Sequence, residues 1–431
     1  MKKRFVPATL VALSLIAAAC GGDETSSEIS TEISSEISTA PATTTPTTTT
    51  PTTDATTDAT TAGTTGEDGG VPCQLDTPLS IGFAADLGEL GAFSDQPGSE
   101  AAQVMVDLVN ADGGVGGLPI SYQVKDVQGD PAATQRAAQE LLDDGVNAII
   151  GPPFASTGAP LLDTVDGAAP IVFMASTDPT LADPARGAFL ASFSDPVQSA
   201  AAAEYAYAEG ITSAVTFSSS DDIYFSGNPA YFTESFENAG GEVVQDFSFS
   251  LADSDFSTQV NELASLDPAP QALFTAMVQP QIGTLLEQLQ GADLDIQVIG
   301  VDGFDATVVW SSGDVANGVW FAAHTFPAED NGVQAFLDAA AAAGSEIETI
   351  SFGALAADAV QIIAAAAEQA CSVDAAALIE AIDATVDLPV VTGSVTYAGT
   401  GGVPEKDVVI LTVTDGAPAF VEALRPSFIP S

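Results

Sequence analysis

Between residues 79 and 301 short apolar runs of strand length alternate with stretches of helical spacing, and the series runs twice. In the first run, residues 79–85, 120–127, 146–150, 170–174 and 189–193 read as strands. Ser99 reads as an N-cap, with Ala101, Val104, Met105 and Leu108 on one helical face, and Asn110-Ala111-Asp112-Gly113-Gly114 ends that helix. Asp130-Pro131 pairs a capping side chain with proline at the first helical position. The series restarts after Ser194-Asp195-Pro196, with helices expected at 198–209, 229–239, 256–265 and 280–290. Strands are expected between them at 213–217, 242–249, 271–277 and 296–301. Alanine-rich helices at 331–343, 352–370 and 374–383 and strands at 393–397 and 407–413 complete the chain. Strand–helix alternation at this spacing predicts an α/β fold with parallel sheets covered by helices on both faces.

What precedes residue 79 has a different texture. Lys2, Lys3 and Arg4 form a positive start, and residues 5–16 are apolar but too short to span a membrane as a helix. Ala17-Ala18-Ala19-Cys20-Gly21 follows, and the whole of 1–20 resembles a bacterial lipoprotein signal in which Cys20 becomes the lipidated first residue. Residues 21–75 are rich in Ser, Thr and Pro, with too little apolar matter to offset the entropy of ordering. They read as a disordered tether. Acylation adds ~0.8 kcal/mol per buried methylene, enough for a two-chain anchor to hold a domain at a membrane face.

Charge removes one class of partner. Acids number 59 against 8 bases, a formal net charge of -51. Loss of the signal would leave only Lys125, Arg136, Arg186, Lys406 and Arg425 as bases. Such a field repels phosphate backbones, so no nucleic-acid partner is expected. With Cys20 lipidated, Cys73 and Cys371 remain as a pair in an oxidising compartment, either bonded to one another or as two free thiols. Their spacing does not point to a metal.

Enzyme chemistry is poorly provided for. His324 is the one histidine, no Gly-x-Ser-x-Gly elbow accompanies it, and it reads as an ordinary residue near a strand end. No Gly-x-Gly-x-x-Gly follows the first strand, and no phosphate-cradling loop is present, so no cofactor is expected. The strand ends instead offer hydroxyls, aromatics and selected acids. These are the Gly-rich loop 86–93, Phe154-Ala155-Ser156-Thr157, Ala175-Ser176-Thr177, Asp221-Asp222-Ile223-Tyr224 and Val301-Asp302-Gly303. Hydroxyls and free N–H groups on one side suit a carboxylate, and an acid with a tyrosine on the other suits an ammonium.

Four stretches are similar to a known family: 110–117 to its helix end, 126–131 to its aspartate-rich turn, 146–152 to its third-strand motif, and Ala175-Ser176-Thr177-Asp178-Pro179 to its ligand loop. On these, residues 79–423 resemble the branched-chain amino-acid (Leu/Ile/Val) binding proteins, the type I periplasmic solute-binding lipoproteins of ABC importers. The resemblance implies two doubly wound lobes joined by three crossings, expected near 194, 323 and 392. Lobe 1 would then be 76–194 plus 324–392, and lobe 2 would be 195–323 plus 393–431. Carried over by position, Ser156 or Thr157, together with Ala175, Ser176 and Thr177, would hold a carboxylate. Tyr224 would form an aromatic wall, Asp302 would receive an ammonium, and Phe93 would stand at the pocket mouth. The chain departs from the family at Phe154-Ala155 and at Met277-Val278-Gln279-Pro280.

The expected function is therefore non-enzymatic. The chain would bind an amino acid or a related small amide or carboxylate between its lobes, with ABC permease subunits as partners. It would work as a monomer, held by its lipid anchor on the outer side of the bacterial cell membrane. Alternatives are a ligand-sensing receptor ectodomain of the same fold, an exported hydrolase, and a structural surface protein.

Overall fold

The structure, a computed structural model, describes residues 72–88 and 90–431. The signal segment, Cys20 and nearly all of the tether lie outside the described residues.

The first lobe opens with β1 (Ser80–Ala85), α1 (Ala92–Ala111), β2 (Ser121–Asp126), α2 (Pro131–Asp143), β3 (Ala148–Gly151), α3 (Ala155–Val165), β4 (Ile171–Phe173) and β5 (Ala188–Leu190). The second follows with α4 (Asp195–Ala208), β6 (Ser213–Ser218), α5 (Ile223–Ala239), β7 (Glu242–Ser248), α6 (Ser257–Ala264), β8 (Ala272–Thr275), α7 (Gln281–Gly291), β9 (Gln297–Gly300), α8 (Thr307–Trp310) and β10 (Trp320–Ala323). The chain then returns as α9 (Val333–Ala342), α10 (Ile350–Ala370), α11 (Ala375–Asp383), β11 (Leu388–Val390) and β12 (Gly393–Val395), and ends in β13 (Val408–Thr414) and β14 (Ala417–Leu424).

The first sheet runs β2-β1-β3-β4-β5, with every neighbouring pair parallel. One face packs on α1, α10 and α11, and the other on α2 and α3. Helix α10 is long and apolar enough to cross a membrane, but 83% of its apolar window is buried, and it serves as a core helix of this lobe. The second sheet runs β14-β13-β10-β9-β8-β6-β7. Its strands β6 to β10 are parallel, while β13 and β14 are antiparallel additions. The parallel part of the sheet is the one expected, and the late strands extend it antiparallel at the β10 edge. The chain re-enters this lobe at the β10 edge, running opposite to β10. It then turns back through Asp415-Gly416, both at positive φ, a two-residue turn whose twist suits a hairpin.

Two further expectations shift. Helix α1 begins at Ala92, seven residues before Ser99, and carries Pro97 inside it. Asp95 anchors the early start, because its Oδ2 accepts the Asp86 N–H at 2.7 Å. The third crossing lies at 403–407 instead of 392. β12 pairs with β11, Val395 and Tyr397 fill the first lobe's core, and Tyr397 Oη donates to the Leu190 carbonyl.

Local signals are kept elsewhere. Asp130 caps α2 through the Ala133 N–H. Asn110 both donates to and accepts from the backbone of Ile120, which fixes the entry to β2. Gly114 sits at positive φ where a Cβ would lie 2.0 Å from the Leu118 oxygen, so only glycine fits that turn. Cys73 and Cys371 are joined by a disulfide that ties the start of the domain to the end of α10.

Candidate functional site

In open α/β sheets ligands bind beyond the carboxyl ends of the strands. Here the residues after β3 meet those after β6 through Ser156 and Asp222, Thr177 after β4 meets Asp195 at the start of α4, and His324 after β10 meets Asp302 after β9 and Phe193 after β5.

The acidic end is built from the second lobe. Asp302 follows β9 in a tight 3-10 turn and is 3% exposed. Its Oδ1 accepts the Tyr224 hydroxyl at 2.7 Å, and its own N–H donates to Gln198 Oε1 at 3.1 Å. Tyr224 Oη in turn accepts the Gly303 N–H at 3.0 Å. A Cβ on Gly303 would lie 2.8 Å from that oxygen, so glycine lets the tyrosine approach. Burial, and next the Asp302 charge, hold the Tyr224 phenol well above its ordinary range. Asp222 caps α5 by accepting the Tyr224 N–H, which orients the residue that carries the phenol.

Asp195 connects this end to the first lobe. Its Oδ1 accepts from Thr177 Oγ1 at 2.7 Å, Asn228 Nδ2 at 2.8 Å and Gln198 Nε2 at 3.0 Å. Burial pushes the Asp195 carboxyl up to about 7, the Asp302 charge adds to this, and the three donors oppose it. Asp305, also buried, is pushed up to about 7 by burial and then by Asp302. Thr177, Asp195, Gln198, Asp302 and Tyr224 thus form one buried chain of hydrogen bonds from the first lobe to the second.

The sequence candidates fall into three groups. Thr177, Tyr224 and Asp302 share that chain, although Thr177 spends its hydroxyl on Asp195. Ala175 is packed in the first lobe's core, and beside it Ser176 Oγ is fully buried and has no partner. Ser156 is exposed at the start of α3, and its N–H donates to Asp222 Oδ2 across the lobes at 3.1 Å. Thr157 is buried, with its hydroxyl on the Phe154 carbonyl.

An aromatic cluster closes the other side. Phe93 packs against both lobes' cores and meets Phe352 edge-on at 5.4 Å and Phe154 at 6.3 Å. Phe154, where the resemblance marks a departure, lies edge-on to Tyr224 at 5.6 Å and stacks on Phe225 at 5.8 Å. It belongs to the first lobe yet sits in the second lobe's core, so the lobes are in contact here.

Sequence reasoning missed Asp195, Gln198, Asn228 and the role of His324. Asp195 and Gln198 are one turn apart beside Pro196, a signal that reads as a helix start and nothing more. His324 follows the end of β10, as expected, but its side chain is fully buried and Nε2 lies 3.0 Å from Asp302 Oδ2. Among the described residues no group of three or more His, Cys, Asp or Glu side chains is placed to hold a metal.

Comparison with known proteins agrees with this architecture. A family model described as "Periplasmic binding protein" matches residues 78–418. The Leu/Ile/Val-binding protein BraC3 of Rhizobium johnstonii is 29% identical over 330 residues, covering 75% of this chain and 88% of that protein. A Leu/Ile/Val-binding protein homolog of Brucella melitensis is 26% identical over 78% of this chain and 92% of its own length. Among solved structures, a leucine-binding protein of Thermotoga maritima superposes with a TM-score of 0.74 at 24% identity, over 81% of this chain and 99% of its own. A benzoate complex of a solute-binding protein from R. palustris has the same fold, with a TM-score of 0.69 at 19% identity, over 82% of this chain and 98% of its own. With two α/β lobes facing each other at their strand ends, and with the family model spanning nearly all of both, this chain belongs to the periplasmic binding protein family.

Proposed function

We propose that the chain is the extracytoplasmic solute-binding component of an ABC importer and takes an amino acid, or a closely related amide or carboxylate, between its lobes. The observation that carries this reading is the buried Asp302–Tyr224 pair, facing the 175–177 loop across the junction. Asp302 and Tyr224 would receive the ligand's ammonium. Its carboxylate would go to the first lobe, to Ser156, Ser176 and the backbone near Thr157, Ala175 and Thr177. The Ser156 N–H already accommodates one carboxylate, that of Asp222, and a ligand would take its place. Phe93 and Phe154 would flank the apolar body. The relatives from Rhizobium johnstonii and Brucella melitensis are named as a Leu/Ile/Val-binding protein and a homolog of one, which supports a branched aliphatic side chain.

In this reading no bond is made or broken. Ligand binding favours the closed arrangement by its differential affinity for closed over open lobes. The closed surface then meets permease subunits, with a lipid on Cys20 holding the monomer at the membrane. The test is a thermal-shift screen of amino acids and small amides against the purified domain, with native mass spectrometry of any hit. Stabilisation by a branched-chain amino acid at one-to-one stoichiometry is expected. A domain that no small molecule stabilises would overturn the reading.

A further inference from the structure

His324 stands where the second crossing leaves β10, and it contacts three parts of the molecule. Nε2 lies 3.0 Å from Asp302 Oδ2. The ring stacks on Phe193 of the first crossing, centroids 4.1 Å apart, and meets Phe352 of α10 at 6.1 Å. Nδ1 is buried with no partner. With Asp302 ionised, Oδ2 only accepts, Nε2 carries the hydrogen, and in a neutral ring Nδ1 is a bare lone pair. Tyr224 already occupies the other Asp302 oxygen. The acid is therefore held on both oxygens, by a phenol on one and an imidazole on the other.

The other charged groups around the ring are few. Asp305 follows Asp302 in the same turn, Asp195 lies on α4, and Tyr224 lies on α5. On α10, Asp358 is paired with Lys406 at 3.0 Å. The groove behind His324 adds Asp330, Glu405, Asp407 and Arg425.

We propose that His324 sets the charge that the Asp302 subsite offers a ligand, and so decides between amine-bearing and amine-free ligands of one skeleton. With a neutral ring the pair carries one negative charge and matches an ammonium group. With a second proton on the ring the pair is neutral, and an ammonium loses its attraction while an amine-free ligand does not. The ligand's ammonium and the second imidazole proton are alternatives, so binding the first releases the other to solvent. This rests on the ammonium contact proposed above and makes that contact conditional. Asp195 and Asp305, both pushed by burial to about 7, titrate in the same range but are common to any His324 variant.

The test uses tag-free protein, in which His324 is the sole histidine. The probes are leucine and its deaminated analogue, 4-methylpentanoate. Calorimetry compares wild type with His324→Gln, which keeps a donor for Asp302 but gains no proton. On lowering the pH from about 7.5 to about 5.5, the leucine-to-analogue affinity ratio is expected to fall at least ~5-fold more in wild type than in the variant. In wild type alone, the single imidazole NMR resonance should titrate, with its midpoint moved to lower pH by leucine and not by the analogue. This second measurement decides the matter if the variant fails to fold. Equal pH slopes in both proteins, or a midpoint that bound leucine leaves in place, overturns the proposal. Failure of wild type to bind leucine at any pH overturns instead the ammonium reading on which it rests.

Discussion

Asp195→Asn tests whether the junction between the lobes is dry. In the folded chain burial pushes this carboxyl up to about 7, against 3.8 for the unperturbed group. Between those values the folded chain keeps a proton that the unfolded chain has released, so this group lowers stability as pH rises through the window. At ~1.36 kcal/mol per pH unit, the full loss above neutrality is on the order of 4 kcal/mol. Asparagine keeps Oδ1 as acceptor for Thr177, Gln198 and Asn228 and has nothing to ionise. The variant should therefore match wild type near pH ~4 and exceed it by a few kcal/mol near pH ~8. Urea unfolding of both proteins across this range supplies the difference curve, in which the other carboxylates cancel. A flat curve would show that Asp195 ionises as it does in water, and the reasoning from burial would be refuted.

Three further outcomes are expected. Asp302→Ala should weaken an ammonium-bearing ligand by at least ~1.5 kcal/mol in calorimetry, since a buried charge loses its partner; unchanged affinity would remove Asp302 from the site. Lys406→Met should cost ~3–5 kcal/mol in urea unfolding by stranding the buried Asp358, and adding Asp358→Leu should recover most of the loss. A cost below ~1 kcal/mol for the single change would mean that water reaches the pair. Cys371→Ser should cost ~2–5 kcal/mol, read as a lower melting temperature that reductant no longer changes, because the bond closes a long loop.

Much of the fold was legible because it rests on local periodicity. Buried parallel strands such as β3, β4 and β8 are short apolar runs between turn signals, and Asp130-Pro131 marks its helix start within a residue. The misreadings arose where distant contacts override local chemistry. Pro97-Gly98 looks like a break, yet the Asp95 bond to the Asp86 backbone starts α1 upstream of it. Residues 393–402 look like the entry to a new strand, but Tyr397 is drawn into the first lobe through Leu190. At the site, residue types at strand ends pointed to Thr177, Tyr224 and Asp302. Pairing was beyond the sequence, because Asp195 accepts from groups 18 and 33 residues away and His324 reaches Asp302 across 22. A lone histidine after a strand carries no sign of its partner until the strands are ordered side by side.

The central claim is that one small ligand engages both lobes together. Hydrogen–deuterium exchange of the domain with and without a ligand found by thermal shift tests this most directly. The account predicts added protection in 175–177 on the first lobe and in both 222–226 and 302–304 on the second, appearing together at the same ligand concentration. Protection confined to one lobe, or absent from both while the ligand is bound, would contradict it.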